Sequence, residues 1–230
     1  MNSATAIIDA RAPRKAIENL QKHFEVFLFQ SQEITYDAIS CHPDIFIFQG
    51  KSKLIIAPNA PQDIIKHLNY TKTAFEFGNS NVGKELENST FFNCIETNNH
   101  LFHKQGFTDE KILSVAKKKL INLPQAYTRC SMIALNEKAF ITSDKGIEKV
   151  LFNNGLDCLY INPYKILLPP YKHGFIGGCM GMWENKIFVI GDLNTIDNCA
   201  EVKNFIYHQN IEIVELYEGN LYDGGGIFFI

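Results

Sequence analysis

The sequence predicts an α/β protein: a ring of five strand–strand–helix–strand units with pseudo-fivefold symmetry. Three observations lead there. First, Gly174–Asp192 reads as a glycine-rich approach, a strand, a tight turn at Glu184–Asn185, a second strand and a polar stop, and the same order recurs upstream. Second, the chain begins with strand, helix and strand but no opening strand, and ends from Leu221 in an opening strand with nothing after it, so the two ends complete one further unit. Third, five units in 230 residues give 46 residues each, and Lys138 and Lys186, matched by their turns, lie 48 apart. One such unit cannot bury its sheet, whereas a closed ring removes most exposed edges, and pairing of the terminal segments locks it. Residues 1–230 are therefore read as a single domain.

Taken in order, Thr5–Ala10 is a short apolar strand, and Pro13, preset for a first helical turn, opens a helix with Ile17, Leu20 and Phe24 on one face. Glu25–Phe29 is a strand and Gln30–Ser40 a polar link. The next unit has strands Asp44–Phe48 and Leu54–Ala57 around the turn Gly50–Ser52, a helix from Pro61 carrying Ile64, Ile65 and Leu68, and strand Thr73–Phe77. The third has strands Thr90–Glu96 and His100–His103 around Asn98–Asn99. Its helix is capped by Thr108 with Ile112, Leu113, Ala116 and Leu120 aligned, and Pro124 blurs its last strand. The fourth has Ser131–Leu135 and Lys138–Thr142 around Asn136–Glu137, a helix capped by Ser143 or Asp144, a stop at Asn153-Asn154-Gly155 where positive φ is tolerated, and strand Asp157–Ile161. After the proline-rich link Leu167–Tyr171, the fifth ends in a helix with Val202, Phe205 and Ile206 and strand Ile211–Leu216.

Composition bounds the function. Hydrophobic residues make up 46% and aromatics 12%, enough for a substantial core. With 22 basic and 25 acidic residues the net charge is −3, which argues against nucleic acid as a partner. The densest basic run, Lys117–Lys119, reads as the wet face of a helix. The N-terminus has no signal-peptide core, and no apolar run nears the ~20 residues a membrane span needs, so a cytoplasmic location is expected. Cysteines 41, 94, 130, 158, 179 and 199 contain no C-x-x-C pair, which predicts reduced thiols, no metal and no cofactor.

Three stretches carry candidate chemistry: His42-Pro43-Asp44 before I-F-I-F, Arg129-Cys130-Ser131-Met132, and the glycine turns Gly177-Gly178-Cys179 and Asp223-Gly224-Gly225-Gly226. With the five units they resemble the pentein, or amidinotransferase-like, α/β propellers, and specifically an uncharacterised bacterial branch. That family includes arginine deiminase, dimethylarginine dimethylaminohydrolase, agmatine deiminase and a ribosome anti-association factor. Its enzymes place a His in an H-x-D tripeptide and a nucleophilic Cys in R-C-M-S or G-G-G-I-H-C-I. They hold the guanidinium with an E-G-G-D-type turn. Here Phe228 and Phe229 stand at the His and Cys of the second cysteine form, and neither glycine turn keeps both acids. His42 and Cys130 are 88 residues apart, close to two units, and Cys179 lies 49 further, close to one, as a circular permutation of the enzyme order requires.

The resemblance implies a Cys-dependent hydrolase or transferase acting on a small guanidino compound at a central pore. Cys130 would be nucleophile and His42 acid and base, with Asp44, Arg129, Asp144, Cys179, Asp192 and Asp223 around the substrate. Asp144 and Asp192 end equivalent second strands and are expected at one mouth of the ring. Each residue also has a structural reading: a free Cys packs as a small hydrophobe, Asp144 and Asp192 suit helix caps, and glycines admit strands that converge closely. The alternative function is a non-catalytic binding or scaffold protein. The enzyme reading requires a depressed Cys130 pKa, and His42 and Cys130 on the same side.

Overall fold

The computed structural model describes residues 4–230; Met1–Ser3, where the reading of the N-terminus as free of a signal peptide starts, lie outside the described residues. Fifteen strands form five three-stranded sheets, all wired alike. The first contains β1 (Thr5–Asp9) and β2 (Glu25–Phe29), separated by helix α1 (Arg14–Leu20). The second has β3 (Ile47–Gln49), β4 (Leu54–Ile56), α2 (Gln62–Tyr70) and β5 (Glu76–Phe77). The third has β6 (Ile95–Glu96), β7 (His100–His103), α3 (Glu110–Ala116) and β8 (Lys119–Asn122). The fourth follows the short helix α4 (Thr128–Ser131) with β9 (Met132–Ala134), β10 (Ala139–Thr142), α5 (Lys145–Asn153) and β11 (Asp157–Tyr160). The fifth has β12 (Met180–Trp183), β13 (Lys186–Val189), α6 (Cys199–Tyr207) and β14 (Glu212–Glu215), and the chain ends in β15 (Phe228–Phe229).

In each complete sheet the middle strand pairs antiparallel with the strand before it and parallel with the strand after its helix. The first sheet obeys the same rule with β15 as its opening strand: β15 pairs antiparallel with β1 (Ala6↔Phe229, Ile7↔Phe228), and β2 pairs parallel with β1. The two ends of the chain thus share one sheet.

The helices carry the repeat as clearly. Each of the five crossover helices buries one i, i+4 pair: Ala16 and Leu20, Ile64 and Leu68, Ile112 and Ala116, Ile147 and Leu151, Val202 and Ile206. At seven to nine residues they are below the ~12–15 residues an isolated helix needs, so packing of that pair on the sheet holds them. Trp183 is only partly buried, edge-on to Phe24 and beside Phe229.

Several sequence expectations are corrected. The expected strand Asp44–Phe48 begins as a 3₁₀ turn, Pro43–Ile45, started by Pro43; Ile45 and Phe46 are apolar because they are buried, not because they pair in a ladder. Strand Thr90–Glu96 shortens to β6, and Ser131 belongs to the helical turn α4 instead of the strand that follows. Leu120 leaves the helix because Lys117 adopts a left-handed conformation (φ 49°); Leu120 then pairs with Leu101 in β8, so Lys117–Lys119 is a helix stop and strand start, not a helix face. The cap of α3 is Asp109, which accepts from the Lys111 amide, while the Thr108 hydroxyl lies 2.7 Å from His103 Nδ1.

Candidate active site

Five turns, each just before the first strand of a sheet, hold one another. The Asn93 side chain donates to the Asp44 carbonyl at 3.2 Å and accepts from the Cys130 amide at 3.2 Å. The Arg129 guanidinium donates to the Gly177 carbonyl at 2.6 Å and the Met180 carbonyl at 2.9 Å. The Gly178 carbonyl accepts from the Gly224 amide at 3.0 Å and the Gly226 amide at 2.8 Å. Gly225, at φ +70°, lies so close to His42 and Asp44 that an added Cβ would fall 2.5 Å from His42 Cβ. The sequence of contacts therefore returns to the turn from which it began.

Cys130, Asp44 and His42 meet in the middle. The Cys130 thiol donates to Asp44 Oδ2 at 2.8 Å, and Asn93 Nδ2 lies 3.4 Å from Cys130 Sγ. One ligating atom from each of His42, Asp44 and Cys130 lies within 4.8 Å of the others. All three are buried, with exposures of 1%, 0% and 3%. Burial dominates their protonation. It pushes the thiol well above its ordinary pKa, helped by the neighbouring Asp44 and Asp223 charges. It lowers His42 to about 3, with the Arg11 charge acting in the same sense, so the ring is neutral. It raises Asp44 to about 6, against the hydrogen bond from Cys130.

Two further carboxylates face the imidazole: Asp9 Oδ2 is 3.7 Å from Nε2 and Asp223 Oδ1 is 3.9 Å from Nδ1. Asp9 is held by Arg11 and raised by burial. Asp223 accepts from the Phe175 amide at 2.8 Å and the Gly225 amide at 3.2 Å, yet burial and the Asp44 charge raise it to about 8. These shifts set a pH dependence. A carboxyl raised in the folded state keeps its proton longer there than when unfolded, so its stabilisation is lost as pH rises through its folded pKa. For His42, lowered from 6.5 to about 3, the folded state holds fewer protons, so stability is lost as pH falls below 6.5. From 6.5 to about 8 Asp223 contributes a falling slope, up to about 2 kcal/mol in all, as pH rises. Urea denaturation across that window should show the slope in the native chain and lose it in Asp223→Asn; an unchanged slope in the variant would rule out Asp223 as its source.

The other expected residues divide in two. Arg129 and Asp223 adjoin the cluster, and Cys179, fully buried, donates to the Phe175 carbonyl at 3.2 Å and feels the Asp223 and Arg129 charges. Asp144 and Asp192 cap their own turns, accepting from the Ile147 and Asn194 amides, with no contact to the cluster among the described residues. Both follow the second strand of their sheet, as Asp9 ends the second strand of its own, but their carboxylates are spent on amides of their own chain. The depressed thiol pKa expected of Cys130 is overturned by its burial.

Sequence reading missed Asn93, Asp9 and an aromatic cover. The Tyr36 and Tyr127 hydroxyls are 3.0 Å apart, Ser89 is 2.6 Å from Tyr127, and both phenols feel the Cys130 charge. Beyond Arg129, at the hairpin-turn ends, a cavity of about 380 Å³ is lined by Gln49, Glu96, Glu137, Met182 and Phe228; Arg129 closes its inner end, over the Phe228 ring.

A family model described as a family of unknown function, DUF6873, matches residues 7–228. No curated protein matches the chain. Among solved structures, DDAH from Pseudomonas aeruginosa complexed with citrulline is similar at a TM-score of 0.56 and 10% identity, covering 94% of this chain and 92% of that one. Campylobacter jejuni agmatine deiminase with substrate bound is similar at 0.53 and 11% identity, covering 95% and 80%. An amidinotransferase of Microseira wollei from saxitoxin biosynthesis is similar at 0.53 and 9% identity, covering 93% and 88%. At these identities the likeness is one of fold, and that fold is pentein-like.

Proposed function

The chain belongs to the DUF6873 family, and from that premise we propose that it acts through Cys130 on a small guanidino compound, as a hydrolase or transferase. The observation that carries this reading is the Cys130 thiol 2.8 Å from a buried carboxylate, with the His42 imidazole in the same enclosure. The structural neighbours whose names specify guanidino chemistry or a guanidine-derived ligand add to it. The turn-to-turn contacts support a closed, pseudo-fivefold ring forming one domain, with this cluster at its axis.

The geometry changes the roles expected from sequence. Asp44 Oδ2, not His42, is the thiol's partner. As Sγ attacks the guanidinium carbon, the thiol proton passes to Asp44, and a pKa of about 6 suits it to return that proton to the departing amine. The C–N bond breaks and a thiouronium adduct is left on Cys130. Neutral His42 then takes a proton from water, or from an acceptor amine, as it attacks the adduct; the C–S bond breaks and the thiolate is reprotonated. Asp9 and Asp223 offer carboxyl oxygens to the cation, with Asp223 ionised only above about pH 8.

One observation favours the second reading, a non-catalytic binding or scaffold protein: the thiol is buried and held protonated. A panel of alkylguanidines incubated with the full chain separates the two. Ureido product or released amine that disappears in Cys130→Ser and persists in Cys158→Ser establishes the enzyme. No turnover, with iodoacetamide labelling Cys130 no faster than the other thiols, establishes the scaffold.

A further inference from the structure

The centre of the cluster is also a donor set: one thiol, one imidazole and one carboxylate, from turns 86 residues apart in the Cys130–Asp44 pair. Hydrogen bonding within the chain does not account for it. Both ring nitrogens of His42 and Asp44 Oδ1 are buried without a hydrogen-bond partner among the described residues. Buried polar atoms are ordinarily paired, so three on adjoining residues, around one thiol, mark a place built for a further charge.

We propose that Cys130 Sγ, one ring nitrogen of His42 and the carboxylate of Asp44 bind a divalent cation of the zinc class. The donor types select it: thiolate and imidazole favour Zn²⁺, whereas Ca²⁺ and Mg²⁺ need more oxygens than one carboxylate provides. The dimensions fit. Tetrahedral zinc bonds of ~2.0–2.3 Å set ligand atoms ~3.3–3.7 Å apart. Here the Cys130–Asp44 separation is 2.8 Å and the widest in the set 4.8 Å, so side-chain rotations of ~1 Å convert one arrangement to the other. The charges fit as well: once the thiol proton leaves to solvent, thiolate and carboxylate neutralise the dication. A second shell is already in place. Asp9 stands beside Nε2 and Asp223 beside Nδ1, so whichever nitrogen ligates, the other has a carboxylate to orient it. Three protein ligands leave a fourth position open.

This site does not rest on the catalytic reading, and it competes with it, because a metal held by Cys130, His42 and Asp44 occupies the place of the substrate and draws charge from the thiolate. The test is Co²⁺ as spectroscopic stand-in and Zn²⁺ as competitor, with the full chain exposed to metal both when folded and during refolding from urea. The expected result is one metal per chain, a thiolate-to-cobalt charge-transfer band erased by Zn²⁺, and protection of Cys130 from alkylation. Cys130→Ser, which keeps a hydrogen-bonding hydroxyl, should bind at least ~100-fold more weakly and lose the band, and Cys158→Ser should keep both. A circular dichroism spectrum matching the native chain controls for folding, and His42→Asn is the second variant. No binding by either route, or a band that survives in Cys130→Ser, overturns the site whatever the outcome with guanidines.

Discussion

Arg129→Leu should cost about 3–6 kcal/mol of folding stability, the sum of two hydrogen bonds from a partly buried charged group at about 1.5–3 each. Its guanidinium bonds the Gly177 and Met180 carbonyls, which belong to the next sheet's opening turn and strand, and lies over the Phe228 ring of the last strand. One side chain thus ties three segments distant in sequence. Leucine fills part of the volume but leaves both carbonyls unpaired and removes the positive charge next to Asp44 and Asp223. Arg129→Lys should fall between the two, since an ammonium is a single point and cannot fork to both carbonyls. Urea denaturation checks the ranking. A loss below about 1 kcal/mol for Arg129→Leu would mean that the carbonyls find water and that Arg129 is not a strut.

Much of this architecture was legible because the repeat writes it several times. The turn Glu184–Asn185, the i and i+4 pairs of the last four crossover helices and the union of the two chain ends appear as the sequence suggested, whereas the first helix buries Ala16 with Leu20 instead of presenting Ile17, Leu20 and Phe24, and Leu113 is exposed. The proposed pairing of His42 with Cys130 came from the resemblance of their tripeptides to the family's motifs, with a separation of 88 residues, close to two units, in support. Asn93 occupies the matching point in the third unit, 49 residues after Asp44 and 37 before Cys130. It escaped notice because Thr90–Glu96, read as one strand, hid the turn. The register also overreached at Asp144 and Asp192: equivalence was right, but both carboxylates are spent capping their own turns. The protonation states lay beyond the sequence. R-C-S-M reads as an activated thiol until its burial and Asp44 are seen, and the tyrosine cover comes from segments with no repeat to align them.

The glycine turns were legible for a physical reason that can be tested. Gly177→Ala should be among the most damaging single changes, about 3 kcal/mol or more. A Cβ there would stand 2.2 Å from the Arg129 carbonyl oxygen, 2.3 Å from that of Met132 and 2.8 Å from that of Cys130. All three are backbone atoms of the turn that carries the thiol, so no rotamer change relieves the contact and the two turns must separate. Gly50→Ala is the contrast: its Cβ would meet the Glu96 carboxylate at 2.6 Å and the Phe48 ring at 2.8 Å, side-chain atoms instead of backbone. Gly155→Ala is a second, because its Cβ meets nothing within 4 Å and the penalty is the left-handed backbone alone (φ +71°), about 1–2 kcal/mol. Denaturant midpoints for the three should fall in the order Gly177, Gly155, Gly50, with Gly177→Ala the lowest. The same substitution should also loosen Arg129 from the Gly177 carbonyl, so Cys130 should become more reactive to iodoacetamide before global unfolding. Should Gly177→Ala instead match Gly50→Ala in stability and leave Cys130 protected, the two turns can part without cost, and close backbone approach is not what holds the thiol in place.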